Sequence, residues 1–261
     1  MKFPENTFLE GLRAGRQQIG FWVALANNLS AEVVATSGFD WLLVDMEHAP
    51  NDVASVMGQL QAIAAHGAAA MVRAPWNDTV IIKRLLDIGA LNLMIPMVQS
   101  VEEAKAAVAA TRYPPDGVRG VAGSMRATQF GRIKDYHKQA KDRTGVILQL
   151  ETQAAVAQAV EIGSVPGVDG VFFGPADIGA DMGLLGQTGA KEVWDLIRDA
   201  AAKLKAAGIP AGTLSTNPDL AAELLNDGFA FVACGLDTDV LAKATDALLA
   251  KMKAATGKDA R

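Results

Sequence analysis

Three side chains that could do chemistry lie at the end of one apolar segment. Asp45, Glu47 and His48 close a run of buried-type residues that begins at Trp41. A continuous apolar run of this length indicates an interior strand, so polar residues at its carboxyl end are held on rigid backbone. His48 is a candidate general base because an imidazole titrates near neutral pH. The three residues could instead begin a surface loop, but their grouping in a chain with three histidines favours an active site.

Polar residues also follow other apolar segments. Glu151 and Asp177 end neighbouring predicted strands, where two like charges need a cation between them. Two carboxylates suit a hard divalent ion, Mg²⁺ or Mn²⁺ first, with Co²⁺ and Zn²⁺ as alternatives. Glu151 could otherwise pair with an arginine and Asp177 could cap the next helix. Arg73 could bind a carboxylate or enolate oxygen, or form an ion pair with Asp45.

The remaining candidates concern the walls of the site. Trp22 and the segment Phe173, Gly174, Pro175 would supply apolar surface, and Gln149 and Ser215 would supply polar groups. Asp87 ends a predicted helix, which is typical of a solvated residue. No lysine follows a predicted strand, which disfavours an imine-forming enzyme.

Strands and helices alternate along the chain. Apolar, β-branched segments predict strands at 19–25, 41–46, 69–74, 91–98, 146–150, 170–173, 210–214 and 229–234. Amphipathic or alanine-rich segments predict helices at 31–37, 52–66, 78–86, 101–111, 153–162, 192–207, 218–225 and 238–252. Eight such units in 261 residues predict an α/β protein with a single-domain (β/α)8 TIM barrel over residues 1–261. A long Gly-, Pro- and Arg-rich insertion is predicted at about 113–136.

Composition narrows the partners. The net charge of −5 disfavours nucleic acid, and the single cysteine, Cys234, excludes a disulfide framework. We find no signal-peptide segment and no apolar run long enough to span a membrane, which favours a cytoplasmic protein.

Six sequence blocks resemble one enzyme family along nearly the whole chain. They are similar to the HpcH/HpaI family of class II pyruvate-dependent aldolases, and most similar to its 4-hydroxy-2-oxoheptanedioate aldolase branch. The blocks cover residues 39–50, 72–77, 95–99, 112–120, 149–152 and 173–177.

The resemblance implies both an assembly and a site. The assembly would be a homo-hexamer whose last helix is exchanged between subunits. The resemblance implies that Glu151 and Asp177 bind the metal. It implies that the pyruvate unit is held by Gln149, Arg73 and the backbone at Gly174, Pro175 and Ala176. It also implies that the pocket is shaped by Trp22, Phe173 and Leu214. It also makes His48 the base, with Asp87 as its partner and Asp45 nearby, which overturns the interpretation of Asp87 as a solvated residue. The segments 122–128 and 212–217 differ from the branch and would face the aldehyde.

The resulting hypothesis is a metal-dependent aldolase. It would reversibly cleave 4-hydroxy-2-oxo acids to pyruvate, or a related 2-oxo acid such as hydroxypyruvate, and an aldehyde. Two alternatives remain open: a CoA-thioester lyase of the same superfamily that acts on citramalyl- or malyl-CoA, and a non-catalytic oligomeric binding barrel. No specific role for Glu47 follows from the sequence.

Overall fold

Eight parallel strands form a closed barrel in the computed structural model, which describes residues 1–257. Each strand pairs with the next along the chain, and β8 pairs with β1. The predicted (β/α)8 barrel is therefore confirmed.

The strands and helices have the following bounds. The strands are β1 Gln18–Val23, β2 Trp41–Asp45, β3 Ala69–Arg73, β4 Asn92–Ile95, β5 Gly145–Leu150, β6 Gly170–Phe173, β7 Ala211–Leu214 and β8 Phe231–Leu236. The helices are α1 Thr7–Arg13, α2 Asn28–Ala35, α3 Val53–Ile63, α4 Thr79–Asp87, α5 Val101–Thr111, α6 Tyr136–Arg143, α7 Gln153–Ala157, α8 Ala159–Gly163, α9 Pro175–Asp181, α10 Lys191–Ala206, α11 Pro218–Asp227 and α12 Asp237–Thr256.

Side chains of each strand alternate between two buried layers, because both faces of a parallel barrel are covered. One layer packs against the surrounding helices, and the other fills the barrel with large aromatic residues that include Trp41, Phe172 and Phe231. Two glycines make this interior possible. A Cβ on Gly20 would overlap the Trp41 ring, and a Cβ on Gly212 would overlap the Phe231 ring. The amino-terminal end of the barrel is thus a packed core, and the site must lie at the carboxyl end.

Four features differ from the predicted helices. One is α6, an additional helix between the predicted insertion and β5. An additional helix, α1, closes the amino-terminal end of the barrel, where the Phe8 ring lies 5.8 Å from Trp41 and 5.4 Å from Phe231. The helix predicted at 153–162 is two short helices that meet at Gln158. A short helix, α9, directly follows β6, and its first turn contributes to the site.

The last helix has few contacts with its own barrel. Only Asp237 of α12 is buried, while large apolar side chains along the helix are at least half exposed: Val240, Leu241, Leu248, Leu249 and Met252. Exchange of this helix between subunits stays a prediction. Of the helices in residues 1–257, none has the length and apolar composition needed to cross a membrane.

Candidate active site

A buried ion pair joins the ends of β2 and β3. Asp45 and Arg73 are register partners on adjacent strands, so their side chains point to the same side, into the barrel. Arg73 Nε donates to Asp45 Oδ1 at 2.9 Å, and Arg73 Nη2 donates to Oδ2 at 2.6 Å. This two-point contact fixes the plane of the guanidinium. The ion pair that the sequence left open is therefore present.

Asp45 also holds the start of the following loop. Its Oδ1 accepts the backbone N–H groups of Glu47 at 3.0 Å and His48 at 3.4 Å, and its Oδ2 accepts the Trp22 indole N–H at 3.4 Å. Burial pushes the pKa of this carboxyl up, but the Arg73 bonds and charge and the two backbone donors outweigh burial and hold it below its ordinary value. Asp45 is thus an anion that serves Arg73 and the loop together.

Glu47 forms a second contact with the guanidinium. Its Oε2 lies 2.9 Å from Arg73 Nη1, and the Glu47 side chain is 13% exposed. Burial raises the pKa of Glu47, although the Arg73 charge opposes the rise. Arg73 is therefore held between two carboxylates, and its Cζ lies 5.2 Å from the centroid of the Trp22 ring.

Glu151 lies just beyond β5, in a polar setting of its own. Its Oε2 accepts the Met97 backbone N–H at 2.7 Å, and its Oε1 accepts from Gln149 Nε2 at 2.7 Å. Burial raises its pKa to about 7, against the lowering effect of the Met97 N–H, while the charges of Glu47 and Asp177 add to the rise. Among residues 1–257 no arginine forms a hydrogen bond with Glu151, so the arginine pair that the sequence left open is not found there.

A glycine leaves the space around the two predicted metal ligands. Gly174 N donates to Leu150 O at 3.1 Å, which places Gly174 beside Glu151. A Cβ on Gly174 would lie 2.9 Å from Glu151 Cγ and 3.2 Å from Gln149 Nε2. Asp177 follows in the first turn of α9, a helix whose N-cap has no side-chain hydrogen bond.

The donor set of this site suits a hard cation. Carboxylate oxygens come from Glu151 and Asp177, and Gln149 Oε1 is buried without a hydrogen-bond partner among residues 1–257. No group of three His, Cys, Asp or Glu side chains in this range could hold a metal ion. A cation would therefore take two protein carboxylates and complete its coordination with water or substrate oxygens.

Most of the predicted residues border one cavity of about 320 Å³ at the carboxyl end of the barrel, but Asp45 and Glu151 do not line it. It is lined by Trp22, His48, Arg73, Gln149, Phe172, Gly174, Pro175, Ala176, Asp177, Thr188, Gly189, Trp194, Leu214, Ser215, Thr216, Asn217 and Leu220. The prediction that Phe173 borders the pocket is wrong. Phe173 packs in the outer layer against the helices, while Phe172 points into the barrel, because neighbouring residues of a strand face opposite sides.

Asp87 lies at the amino-terminal end of the barrel, opposite the end that carries the cavity. It is the last residue of α4, which runs back beside the strands and ends just before β4, whereas His48 follows the carboxyl end of β2. A strand of five residues separates these ends by about 15 Å. Asp87 instead accepts a bond of 2.8 Å from Arg119 Nη2. The predicted contact between Asp87 and His48 is therefore not made within one chain.

The two segments predicted to face the aldehyde also separate. Leu214, Ser215, Thr216 and Asn217 of segment 212–217 line the cavity. Segment 122–128 lies near Asp87, where Arg126 Nη1 donates to Ile88 O at 2.6 Å. This segment does not border the cavity of its own chain.

Several groups that support the site were not predicted from the sequence. Met97 has a left-handed φ of 52°, and its N–H meets Glu151. The Trp194 indole N–H donates to Thr188 O at 2.8 Å, which holds the loop before α10 at the cavity rim. Asn51 Nδ2 donates to Asp45 O at 2.6 Å. Each of these bonds involves a backbone atom and joins residues that are not neighbours in the sequence, so no local sequence pattern predicts them.

Comparison with known proteins agrees with this geometry. Residues 18–244 match the family model described as HpcH/HpaI aldolase/citrate lyase. A curated 4-hydroxy-2-oxo-heptane-1,7-dioate aldolase from Salmonella dublin is 51% identical over 251 residues, with 96% of this chain and 95% of the relative covered.

Two solved structures share the fold. An HpcH/HpaI aldolase/citrate lyase family protein from Burkholderia cenocepacia J2315 has a TM-score of 0.92 and 36% identity, covering 95% of this chain and 99% of the other. An HpcH/HpaI aldolase from Desulfitobacterium hafniense DCB-2 has a TM-score of 0.87 and 29% identity, covering 94% and 95%. The chain therefore belongs to the HpcH/HpaI aldolase/citrate lyase family, as its motifs predicted.

Proposed function

We propose that the chain is a divalent-metal-dependent aldolase that reversibly cleaves 4-hydroxy-2-oxo acids to pyruvate, or a related 2-oxo acid such as hydroxypyruvate, and an aldehyde. The observation that carries this proposal is the meeting of three groups at one cavity. They are the fixed guanidinium of Arg73, the carboxylate of Asp177 and the imidazole of His48. Glu151 does not line the cavity, but it accepts a hydrogen bond from Gln149, which does. This set can hold a 2-oxo acid, stabilise negative charge and accept a proton.

The first part of the mechanism is binding of the 2-oxo acid. A divalent cation held by Glu151 and Asp177 would polarise the keto group and help to stabilise the charge of the enolate, a contribution of several kcal/mol. Arg73 donates to the same developing oxygen, and its hydrogen bonds to Asp45 and its ion pair with Glu47 fix it before reaction. Gln149 and the backbone at Gly174, Pro175 and Ala176 hold the carboxylate end. Trp22 and Leu214 enclose the rest of the substrate.

The second part is proton transfer. His48 removes the proton of the C4 hydroxyl, the C3–C4 bond breaks, and its electron pair passes into the pyruvate enolate while the aldehyde leaves. General-base help of this kind is worth about 10²- to 10⁴-fold. Oxaloacetate decarboxylation reaches the same enolate by loss of CO₂ and has no hydroxyl proton to remove. We therefore expect it as a side activity that does not need His48.

Asp87 can serve His48 only from another subunit. Because the two residues lie at opposite ends of one barrel, we propose that a second chain in a homo-hexamer brings Asp87 to the His48 loop. The exposed apolar face of α12 supports such an assembly, with the last helix exchanged between subunits. Co-assembled His48→Ala and Asp87→Asn chains should regain activity, since about a quarter of the sites would combine both native residues. Mixed chains as inactive as the separate variants would contradict a shared site.

The metal and the reaction can be tested together. Chelation should abolish cleavage of a 4-hydroxy-2-oxo acid, Mg²⁺ or Mn²⁺ should restore it, and borohydride with pyruvate should trap no adduct. A trapped lysine adduct would overturn the proposal. Cleavage of citramalyl- or malyl-CoA in place of hydroxyoxo acids would instead identify a thioester lyase. The absence of metal-dependent exchange of pyruvate methyl protons with D₂O would favour a binding barrel.

A further inference from the structure

The loop that carries Glu47 and His48 joins β2 to α3 without helix or strand structure of its own. Its first residues are held by Asp45 Oδ1, which accepts the backbone N–H groups of Glu47 and His48. These bonds fix only one end of the loop. The orientation of the imidazole also depends on what holds the other end.

Asn51 ties the far end of the loop back to the strand. Its Nδ2 donates to the backbone carbonyl of Asp45 at 2.6 Å, so the loop is closed upon the residue from which it starts. Its Oδ1 accepts two bonds, from Ser55 Oγ at 2.8 Å and from Gln59 Nε2 at 2.7 Å. The amide of Asn51 is thus fixed in one orientation by two donors on α3.

Gln59 is the buried end of this network. Its side chain is fully buried, and its Nε2 also donates to Ser55 O at 3.1 Å. Its Oε1 is buried without a hydrogen-bond partner among residues 1–257. A buried amide with an unpaired oxygen is unfavourable compared with an apolar side chain of the same size, so packing does not account for it. The donor that Gln59 provides to Asn51 does.

We propose that Asn51 and Gln59 are positioning residues that hold the His48 imidazole against the cavity. This inference rests on the aldolase function proposed above. Neither amide lines the cavity, and both act through the backbone of the loop. The groups that hold the 2-oxo acid lie on β3, on β5 and in the first turn of α9. Arg73 contacts Asp45 and Glu47, but its two hydrogen bonds go to the Asp45 carboxylate, whereas Asn51 binds the Asp45 backbone carbonyl. Loss of the network should therefore affect proton transfer from the hydroxyl and leave enolate formation by decarboxylation in place.

The test compares two reactions in the same enzyme. Asn51→Ala should lower kcat for cleavage of a 4-hydroxy-2-oxo acid about 10- to 100-fold, because small displacements of a reacting group have effects of this size. The KM for the same 4-hydroxy-2-oxo acid should stay unchanged, and the kcat for oxaloacetate decarboxylation should change by less than about threefold. Gln59→Met keeps the buried volume and removes the donor. This variant should also lose cleavage activity selectively, but by a smaller factor than Asn51→Ala, since Ser55 Oγ still donates to Asn51.

A matched control comes from the next loop along the barrel. Asn77 Nδ2 donates to the backbone carbonyl of Glu103 at 3.1 Å and has no connection to His48. Asn77→Ala should leave the ratio of the two activities unchanged. Equal loss of both reactions in Asn51→Ala and Gln59→Met, or loss of neither, would overturn the positioning role. A native enzyme that performs neither reaction would contradict the proposed function instead.

Discussion

Replacement of Asp45 by asparagine should destabilise the protein through the Arg73 pair. Asp45 is 3% exposed, and its Oδ2 accepts from Arg73 Nη2 and from the Trp22 indole N–H. In the Asp45→Asn variant an amide NH₂ would face these two donors. The opposite amide orientation is worse, because the NH₂ would then face Arg73 Nε and the backbone N–H groups of Glu47 and His48. One orientation cannot satisfy every donor.

The size of the effect follows from these contacts. Each buried donor left unpaired costs about 1–3 kcal/mol, and removing one partner of a buried ion pair costs about 3–5 kcal/mol. Glu47 keeps its 2.9 Å contact with the guanidinium, so the loss falls at the lower end, about 3 kcal/mol. Urea unfolding at pH 7 and fixed protein concentration, followed by tryptophan fluorescence, measures this loss.

The pH dependence gives the sign of the carboxylate contribution. The net effect of burial, Arg73 and the backbone donors holds the folded-state pKa of Asp45 below its ordinary value of 3.8. The contribution is therefore fully present above about pH 4 and is lost as the pH falls through the lower folded-state pKa. The difference in unfolding free energy between the native protein and Asp45→Asn should be constant from about pH 5 to 8 and should shrink below about pH 4.

A partly buried aspartate provides the control. Asp169 lies at the other end of the barrel, where burial raises its pKa despite the Val146 N–H and Arg13 and Arg112. Because the charged form is the unfavourable one there, Asp169→Asn should change stability by less than about 1 kcal/mol at pH 7. A loss below about 1 kcal/mol for Asp45→Asn, or an equal loss for both variants, would refute the reasoning.

Three further substitutions probe the donor site and the cavity rim. Arg73→Lys should lower kcat/KM for cleavage about 10²- to 10³-fold, because an ammonium cannot reproduce the two-point bond to Asp45. A calorimetric titration of the same variant should find unchanged Mn²⁺ affinity. Gly174→Ala should weaken Mn²⁺ binding about 10- to 100-fold, since the new Cβ would lie 3.0 Å from a Glu151 oxygen. The control is Gly189→Ala, which has open space around its Cβ and should bind Mn²⁺ normally. Trp194→Phe removes the bond to Thr188 O and should raise KM for the aldehyde about fivefold in the synthetic direction, with KM for pyruvate constant.

The barrel and most of the site could be predicted because their signals are local. Apolar strand segments between amphipathic helices identified the eight strands, and each strand end identified its polar residue, such as Arg73 or Glu151. The face of a strand is a different matter. Gly170–Phe173 is buried on both sides, so no alternation of polar and apolar residues distinguishes Phe172 from Phe173.

Other features depend on contacts between distant parts of the chain. Asp87 pairs with Arg119, and the direction in which α4 runs places it away from His48. Met97 reaches Glu151 through a backbone N–H, which every non-proline residue carries and no residue type marks. Gln59 looks like an ordinary helical residue until its partner Asn51 is seen.

The cavity rim has a consequence for how this scaffold could acquire new substrates. Thr188 and Gly189, together with the residues from Ser215 to Asn217, belong to connections between elements, whereas Arg73 and Gln149 belong to paired strands. Connections tolerate substitution better than barrel strands do. Selection for a different aldehyde could therefore change the rim residues one at a time, while Arg73 and Gln149, which hold the 2-oxo acid, stay the same. Combinatorial libraries limited to these two connections are the direct route to altered aldehyde choice.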